Sequence, residues 1–101
     1  MAAQLVGTSQ RAAPTGTLSN VASSASSVTL LAANSRRKGA AFYNDSTQVL
    51  YLKCGTTASS SSFTYMLAAN GGYYEVPFTY TGIVDGIWAS ANGNCRVTEF
   101  T

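Results

Sequence analysis

The chain has 101 residues and a mass of 10.5 kDa, enough for one small domain but not for two independent cores. Apolar residues make up 46% of it and charged residues only 10%, so 13 Ser and 12 Thr help to build a polar, charge-poor surface of the kind that packs against other protein. The net charge of +2 argues against a strongly basic nucleic-acid-binding protein, and the absence of His, the commonest general base and metal ligand, argues against an enzyme.

Residues 1–26 are predicted to form an extended arm, because Ala, Ser, Thr and Gly dominate them and no amphipathic period persists. The alternatives are a passive tail and an arm ordered by a neighbouring subunit. On the second interpretation, its contacts are Leu5, Val6, Arg11, Leu18 and Val21. The N-terminus lacks the basic and apolar regions of a secretory signal, and no run approaches the roughly 18 apolar residues of a membrane helix. We therefore expect a protein folded in a cytoplasm.

Residues 27–101 are predicted to form an all-β body, a small antiparallel β-sandwich or flattened barrel. Short runs rich in Val, Ile, Tyr, Phe and Thr recur along it and are separated by turn residues. Asn70-Gly71-Gly72 and Asn92-Gly93-Asn94 favour hairpins, because Asn and Gly tolerate positive φ. About seven strands are expected, at residues 28–33, 39–44, 49–54, 62–68, 73–78, 83–89 and 95–100.

Alternation along these strands predicts which side chains enter the core. Phe63, Tyr65 and Leu67 share one face, and the strand around Trp88 is the most apolar. The expected core is Phe42, Leu50, Leu52, Phe63, Tyr65, Leu67, Ile87 and Trp88. Cys54 and Cys95 are either free thiols or a cross-strand disulfide.

No residue pattern predicts a catalytic, metal or cofactor site. Asp85 lies in mid-strand, where a structural ion pair with Lys53 or Arg96 explains it, and Glu75 and Glu99 alternate with apolar residues as solvent-facing positions do. Gly71-Gly72 lacks the Lys and Ser/Thr of a phosphate loop. We therefore expect no enzyme activity, no cofactor and no small-molecule substrate.

Two surface motifs each have two interpretations. The run Arg36-Arg37-Lys38 is either a solvated loop or a docking patch for an acidic partner surface; it has no basic stripe with interleaved aromatics, as nucleic-acid binding would need. Tyr73, Tyr74, Tyr80 and Trp88 are either packed residues or, if exposed together, a stacking platform for sugars.

Four segments in the same order resemble small structural proteins of tailed bacteriophages. They are LAANSRRKGAAFYNDS at residues 31–46, GGYYEVPF at 71–78, YTGIVDGIW at 80–88 and GNCRVTE at 93–99. The resemblance covers residues 31–99 and leaves out the arm; Cys95 stands where that group has a small residue. It implies a virion component, either a capsid decoration (cement) protein or a head-binding or adaptor part of a fibre or tail.

The resemblance and the composition together predict a capsid decoration protein that binds across subunits of the major capsid protein and stabilises the head. Such a protein is made in the host cytoplasm and resides on the outer capsid surface. It also associates with itself, as a dimer or trimer, and binds neither nucleic acid nor membrane. The alternatives are a fibre or tail adaptor and, from a different class, a carbohydrate-binding module.

Overall fold

The computed structural model describes residues 12–76 and 80–101, which contain eight β-strands and no helix. The strands belong to two four-stranded antiparallel sheets packed face to face. Sheet A has the order β1-β8-β3-β6 and sheet B the order β2-β7-β4-β5. The predicted all-β sandwich is thus confirmed. The strands are β1 (Gly16–Ala22), β2 (Val28–Leu31), β3 (Gly39–Asp45), β4 (Leu50–Cys54), β5 (Tyr65–Leu67), β6 (Tyr73–Glu75), β7 (Val84–Trp88) and β8 (Asn94–Phe100).

The chain passes from one sheet to the other at every connection except that between β4 and β5. The turns around Asn70 and Gly93 lie where the sequence predicts turns, and both residues have positive φ. They do not close hairpins, however, because β5 and β6 lie in different sheets, as do β7 and β8. Turn residues determine where a chain reverses, whereas which strands pair depends on which faces of those strands are buried.

β1 lies within the segment predicted to be an arm. Its seven residues pair in continuous register with β8 of the same chain, from Gly16 opposite Phe100 to Ala22 opposite Asn94. A backbone ladder needs no apolar side chains, which is why composition did not reveal this strand. All of its side chains are exposed except that of Val21, which packs against the core. β1 therefore overhangs the sandwich.

The core lies between the sheets, and five of the side chains expected there are buried: Phe42, Leu50, Leu52, Leu67 and Trp88. Three expectations are corrected. Ile87 is half-buried because it alternates with Gly86 and Trp88 and faces outward. Phe63 is exposed outside β5 and packs against Tyr51. Tyr65 lies opposite Leu52 on the core side, but at the rim, where it stacks on Tyr74 with ring centroids 4.8 Å apart.

Gly86 lets two neighbouring strands of sheet B pack their leucine side chains over its backbone. A Cβ atom there would lie 2.7 Å from Leu30 Cδ1 and 3.0 Å from Leu50 Cδ1, both in buried side chains. Since real Cβ atoms essentially never lie closer than 3.0 Å to such a neighbour, any larger residue forces the Leu30 side chain to move. Gly86 thus determines the packing between β2, β4 and β7.

The buried Asn44 side chain joins the two sheets at one end of the sandwich. From β3, its Nδ2 donates to the carbonyl oxygens of Gln48 at 2.8 Å and Ala68 at 3.0 Å. Its Oδ1 accepts hydrogen bonds from Ser46 Oγ at 2.8 Å and from Trp88 Nε1 at 3.1 Å. A fully buried polar group is costly unless it is satisfied, and here both ends of the amide are.

We expect Trp88→Ala to lower the free energy of unfolding by about 3–5 kcal/mol, because it leaves a large cavity and removes a donor to Asn44. The placement of Trp88 is checked separately: the native protein should show the blue-shifted fluorescence of a tryptophan that is 2% exposed. Urea unfolding followed by circular dichroism measures the loss in the variant. Native emission at the wavelength of free tryptophan would contradict the placement.

A second expectation concerns alkaline pH. Burial raises the pKa of the Cys95 thiol from its ordinary 9.0 to about 12. The folded chain thus keeps a proton that the unfolded chain loses above pH 9. The contribution of this thiol to the free energy of unfolding is therefore fully present below pH 9 and is lost as the pH rises toward 12. For this one group, the free energy of unfolding falls by at most about 1.4 kcal/mol per pH unit.

The Cys95→Ala variant should have a shallower decline than the wild type in urea titrations across this window. Burial also raises the pKa values of Tyr74 and Tyr80, which contribute to the slope of both proteins equally. Identical slopes for the two proteins would show that Cys95 does not titrate with unfolding.

Candidate interaction face on sheet A

Four large apolar side chains lie exposed on the outer face of sheet A, one on each strand. The register places Leu18 opposite Thr98, Gly16 and Gly39 on either side of Phe100, and Tyr43 opposite Tyr73. Leu18 is 78% exposed and Tyr73 69%. We name this surface the sheet A face and define it by Leu18, Tyr43, Tyr73 and Phe100.

Polar and charged side chains lie between the apolar side chains of the sheet A face. Arg96 Nε donates to Asp45 Oδ2 at 2.8 Å, and both side chains are about half exposed. Arg96 Nη1 also reaches Asn20 Oδ1 at 3.5 Å, and Glu75 lies beside Ala41 at the β6 edge. Apolar and aromatic side chains interspersed with a few charges are the composition of many protein-binding surfaces. The face is therefore suited to docking on another protein.

Tyr43 and Phe100 are surface residues that the sequence did not reveal. The signal was present in β3, where Tyr43 alternates with the apolar Phe42 and with Asn44. For Phe100, alternation with Val97 and Glu99 gives no clear assignment. Its ring instead covers the backbone of two glycines, with ideal Cβ positions of Gly16 and Gly39 only 3.5 and 3.6 Å from it. That contact depends on the pairing of β8 with both neighbours.

Arg37 is not a docking residue, which corrects the interpretation of the basic run. Its side chain is fully buried, and its Nε donates to Glu99 Oε2 at 2.9 Å. Its Nη atoms donate to the carbonyl oxygens of Ala32 at 2.6 Å, Gly82 at 2.8 Å and Tyr80 at 3.2 Å. Arg37 thus joins the β2–β3 connection, the approach to β7 and the end of β8.

Glu99 is likewise not a solvent-facing residue, since it accepts from Arg37 and from Asn34 Nδ2 at 3.3 Å. Arg36 and Lys38, the other members of the basic run, are exposed. The Lys38 N–H donates to the Phe100 carbonyl at 2.8 Å, so the loop borders the sheet A face. Two positive side chains therefore stand at the rim of that face.

The expected arm contacts do not form one group. Leu18 belongs to the sheet A face, whereas Val21 points inward and packs against the core. Leu5, Val6 and Arg11 lie outside the described residues.

The four aromatic residues considered as a sugar platform do not share a surface. Trp88 is in the core, and Tyr74 points inward to stack on Tyr65. The Tyr80 hydroxyl donates to the Ile83 carbonyl, and only Tyr73 of the four is largely exposed. A flat stack of these rings is therefore not available, because alternation sends neighbouring residues to opposite faces.

The remaining candidate groups show no reactive arrangement. Cys54 and Cys95 are free thiols, and burial raises the pKa of both, which keeps them protonated at neutral pH. Lys53 lies opposite Asp85 but donates to Thr57 O and Ser62 Oγ instead. Asp85 Oδ1 is buried and has no hydrogen-bond partner among the residues that the structure describes. Neither the predicted pairing of Asp85 with Lys53 nor that with Arg96 is formed, since Arg96 binds Asp45.

Within the described part of the chain, no group of three or more His, Cys, Asp or Glu side chains is placed to hold a metal ion. In the same residues no helix has the length and hydropathy needed to cross a membrane.

Arg37→Met should lower the free energy of unfolding by about 3–5 kcal/mol, because it removes the charged donor to Glu99 and the Arg37 donor to three carbonyl groups. Arg36→Met makes the same chemical change one residue away, at an exposed side chain, and should alter stability by less than about 0.5 kcal/mol. Urea unfolding curves of both variants make the comparison. Equal losses of stability in the two variants would show that the buried contacts of Arg37 do not stabilise the fold.

The sheet A face is the site that the described residues single out. No protein-family model matches the sequence, and no curated protein or solved structure matches the chain significantly. The residues of this face, together with the sequence segments at residues 31–99, are therefore the features from which a function can be inferred.

Proposed function

We propose that the protein is a non-enzymatic structural component of a bacteriophage virion, a capsid decoration protein that binds across subunits of the major capsid protein. The observation that carries the proposal is the sheet A face, which exposes four large apolar side chains on a single sheet. The phage-like segments at residues 31–99 support the same assignment. Such a protein is made in the host cytoplasm and stabilises the outer surface of the head.

The sheet A face is suited to this role for a physical reason. A decoration protein binds as many copies repeated around a shell. Each copy needs an interface of roughly 1,000 Å² or more to bind stably. Tyr43 and Tyr73 supply rigid aromatic area, while the Arg96–Asp45 pair is already satisfied within the chain. Arg36 and Lys38 at the rim would then steer the protein toward an acidic capsid surface.

The test is binding to capsids assembled from the major capsid protein of the same virus. We expect the wild type to co-sediment with them and Tyr73→Ser to bind roughly ten- to a hundredfold more weakly, since one aromatic contact is lost. Met66→Ser is the matched control, because Met66 is similarly exposed but lies on sheet B. Failure of the wild type to bind, or equal losses in both variants, would overturn the proposal.

Copy number separates the two virion roles. A decoration protein is present in hundreds of copies per particle, whereas a fibre or tail adaptor is present in about a dozen. Quantitative mass spectrometry of purified virions gives the number directly. Absence from virions, together with binding to a glycan array, would favour the carbohydrate-binding alternative.

A further inference from the structure

The outer edge of β1 is an open edge of sheet A, with no partner strand among residues 12–76 and 80–101. Hydrogen bonds at both ends of the β1–β8 ladder determine which backbone groups face it. The Thr101 N–H donates to the Thr15 carbonyl and the Ser23 N–H to the Gly93 carbonyl. In antiparallel register, odd-numbered residues of β1 therefore bond β8. The residues whose N–H and C=O groups point away from the sheet are Gly16, Leu18, Asn20 and Ala22.

The other three edges are less able to accept a strand. β2 has four residues and a register shift between Thr29 and Leu31. β5 and β6 have three residues each, and β6 carries Glu75. β1 has seven residues with no charge, no proline and no bulge, so it lacks the usual features that prevent edge-to-edge pairing.

We propose that β1 pairs antiparallel with β1 of a second copy of this chain, about a two-fold axis at Ser19. This register overlaps the whole strand, with Gly16 opposite Ala22 and Leu18 opposite Asn20 of the second copy. All four outward-facing residues of each copy then form hydrogen-bonded pairs, giving about eight backbone hydrogen bonds. A register centred on Leu18 would leave Ala22 unpaired.

A second copy is favoured because the edge is complementary to itself. A neutral strand meets no like charge across a two-fold axis, and the charged side chains of the next strand, Arg96 and Glu99, are each in an ion pair within the chain. Pairing joins the two copies of sheet A into one continuous sheet and places both sheet A faces on the same side. This inference is independent of the proposed function and needs no capsid for its test.

Crosslinking tests the register. Ser19 opposite Ser19 of the second copy is a non-hydrogen-bonded pair with Cα atoms about 4.5 Å apart, within the range of a disulfide. Ser19→Cys should therefore form a disulfide-linked dimer under mild oxidation. Thr17→Cys is the matched control on the same face, because Thr17 meets Val21 of the second copy and its own counterpart lies about 13 Å away.

Both substitutions are made in a Cys54→Ser background, since Cys54 is only half-buried. We expect dimer formation at least about tenfold faster for Ser19→Cys than for Thr17→Cys on non-reducing gels. Equal rates, or no dimer from either variant, would overturn the proposed register.

Sedimentation of the unmodified chain tests the pairing itself. We expect a reversible monomer–dimer equilibrium that persists in a chain beginning at Ala12. Leu18→Pro removes an outward N–H without touching the β8 ladder, and it should raise the dimer Kd at least about tenfold. Trp88 fluorescence reports that the variant is folded. A wild type that stays monomeric up to about 1 mM, a dimer lost on truncation to Ala12, or an unchanged Kd in folded Leu18→Pro would each reject the inference.

Discussion

The Asn44 side chain, buried at the end of β3, joins two crossing connections to the facing sheet through hydrogen bonds. A chain that passes between two sheets at almost every connection places backbone groups at the ends of the sandwich, outside the strand ladders. The Asn44 amide donates to the carbonyl groups of Gln48 and Ala68, in two of these connections, and accepts from Trp88 of the facing sheet. Since buried polar groups that lose a partner destabilise a fold, this one side chain stabilises two crossings at once.

Arg37 has the corresponding role at the opposite end of β3. Its five-donor guanidinium binds Glu99 and three carbonyl groups from two crossing connections. The two ends of the sandwich are therefore closed from inside by polar side chains. The sheet A face and the β1 edge take no part in these two polar clusters, which leaves both available for other molecules.

The sequence predicted the fold class and the main core because period-two alternation and turn residues are local signals. Phe42, Leu50 and Trp88 are buried for the reason their spacing indicates. The pairing of strands was less accessible, because Asn70 and Gly93 mark a turn without showing which sheet the chain enters next. β1 was missed because its stability comes from the backbone ladder with β8 and not from its own side chains.

The candidate site was predicted only in part. Leu18 was identified as an exposed apolar contact, but Tyr43 and Phe100 were not, since their exposure depends on which strands lie beside them. Nothing in the run Arg36-Arg37-Lys38 distinguishes its middle residue, whose partner Glu99 lies 62 positions away. Long-range partners of this kind are determined by the topology, and so they emerge only with the structure.

The Asn44–Trp88 hydrogen bond belongs to the closed interior, and hydrogen exchange of the Trp88 indole N–H is the sharpest test of that placement. The chain has a single tryptophan, so an isotope-labelled sample gives one indole signal. We expect this proton to exchange only through global unfolding, with an opening free energy equal to that from urea denaturation. Exchange at the rate of an exposed indole in the folded protein would contradict it.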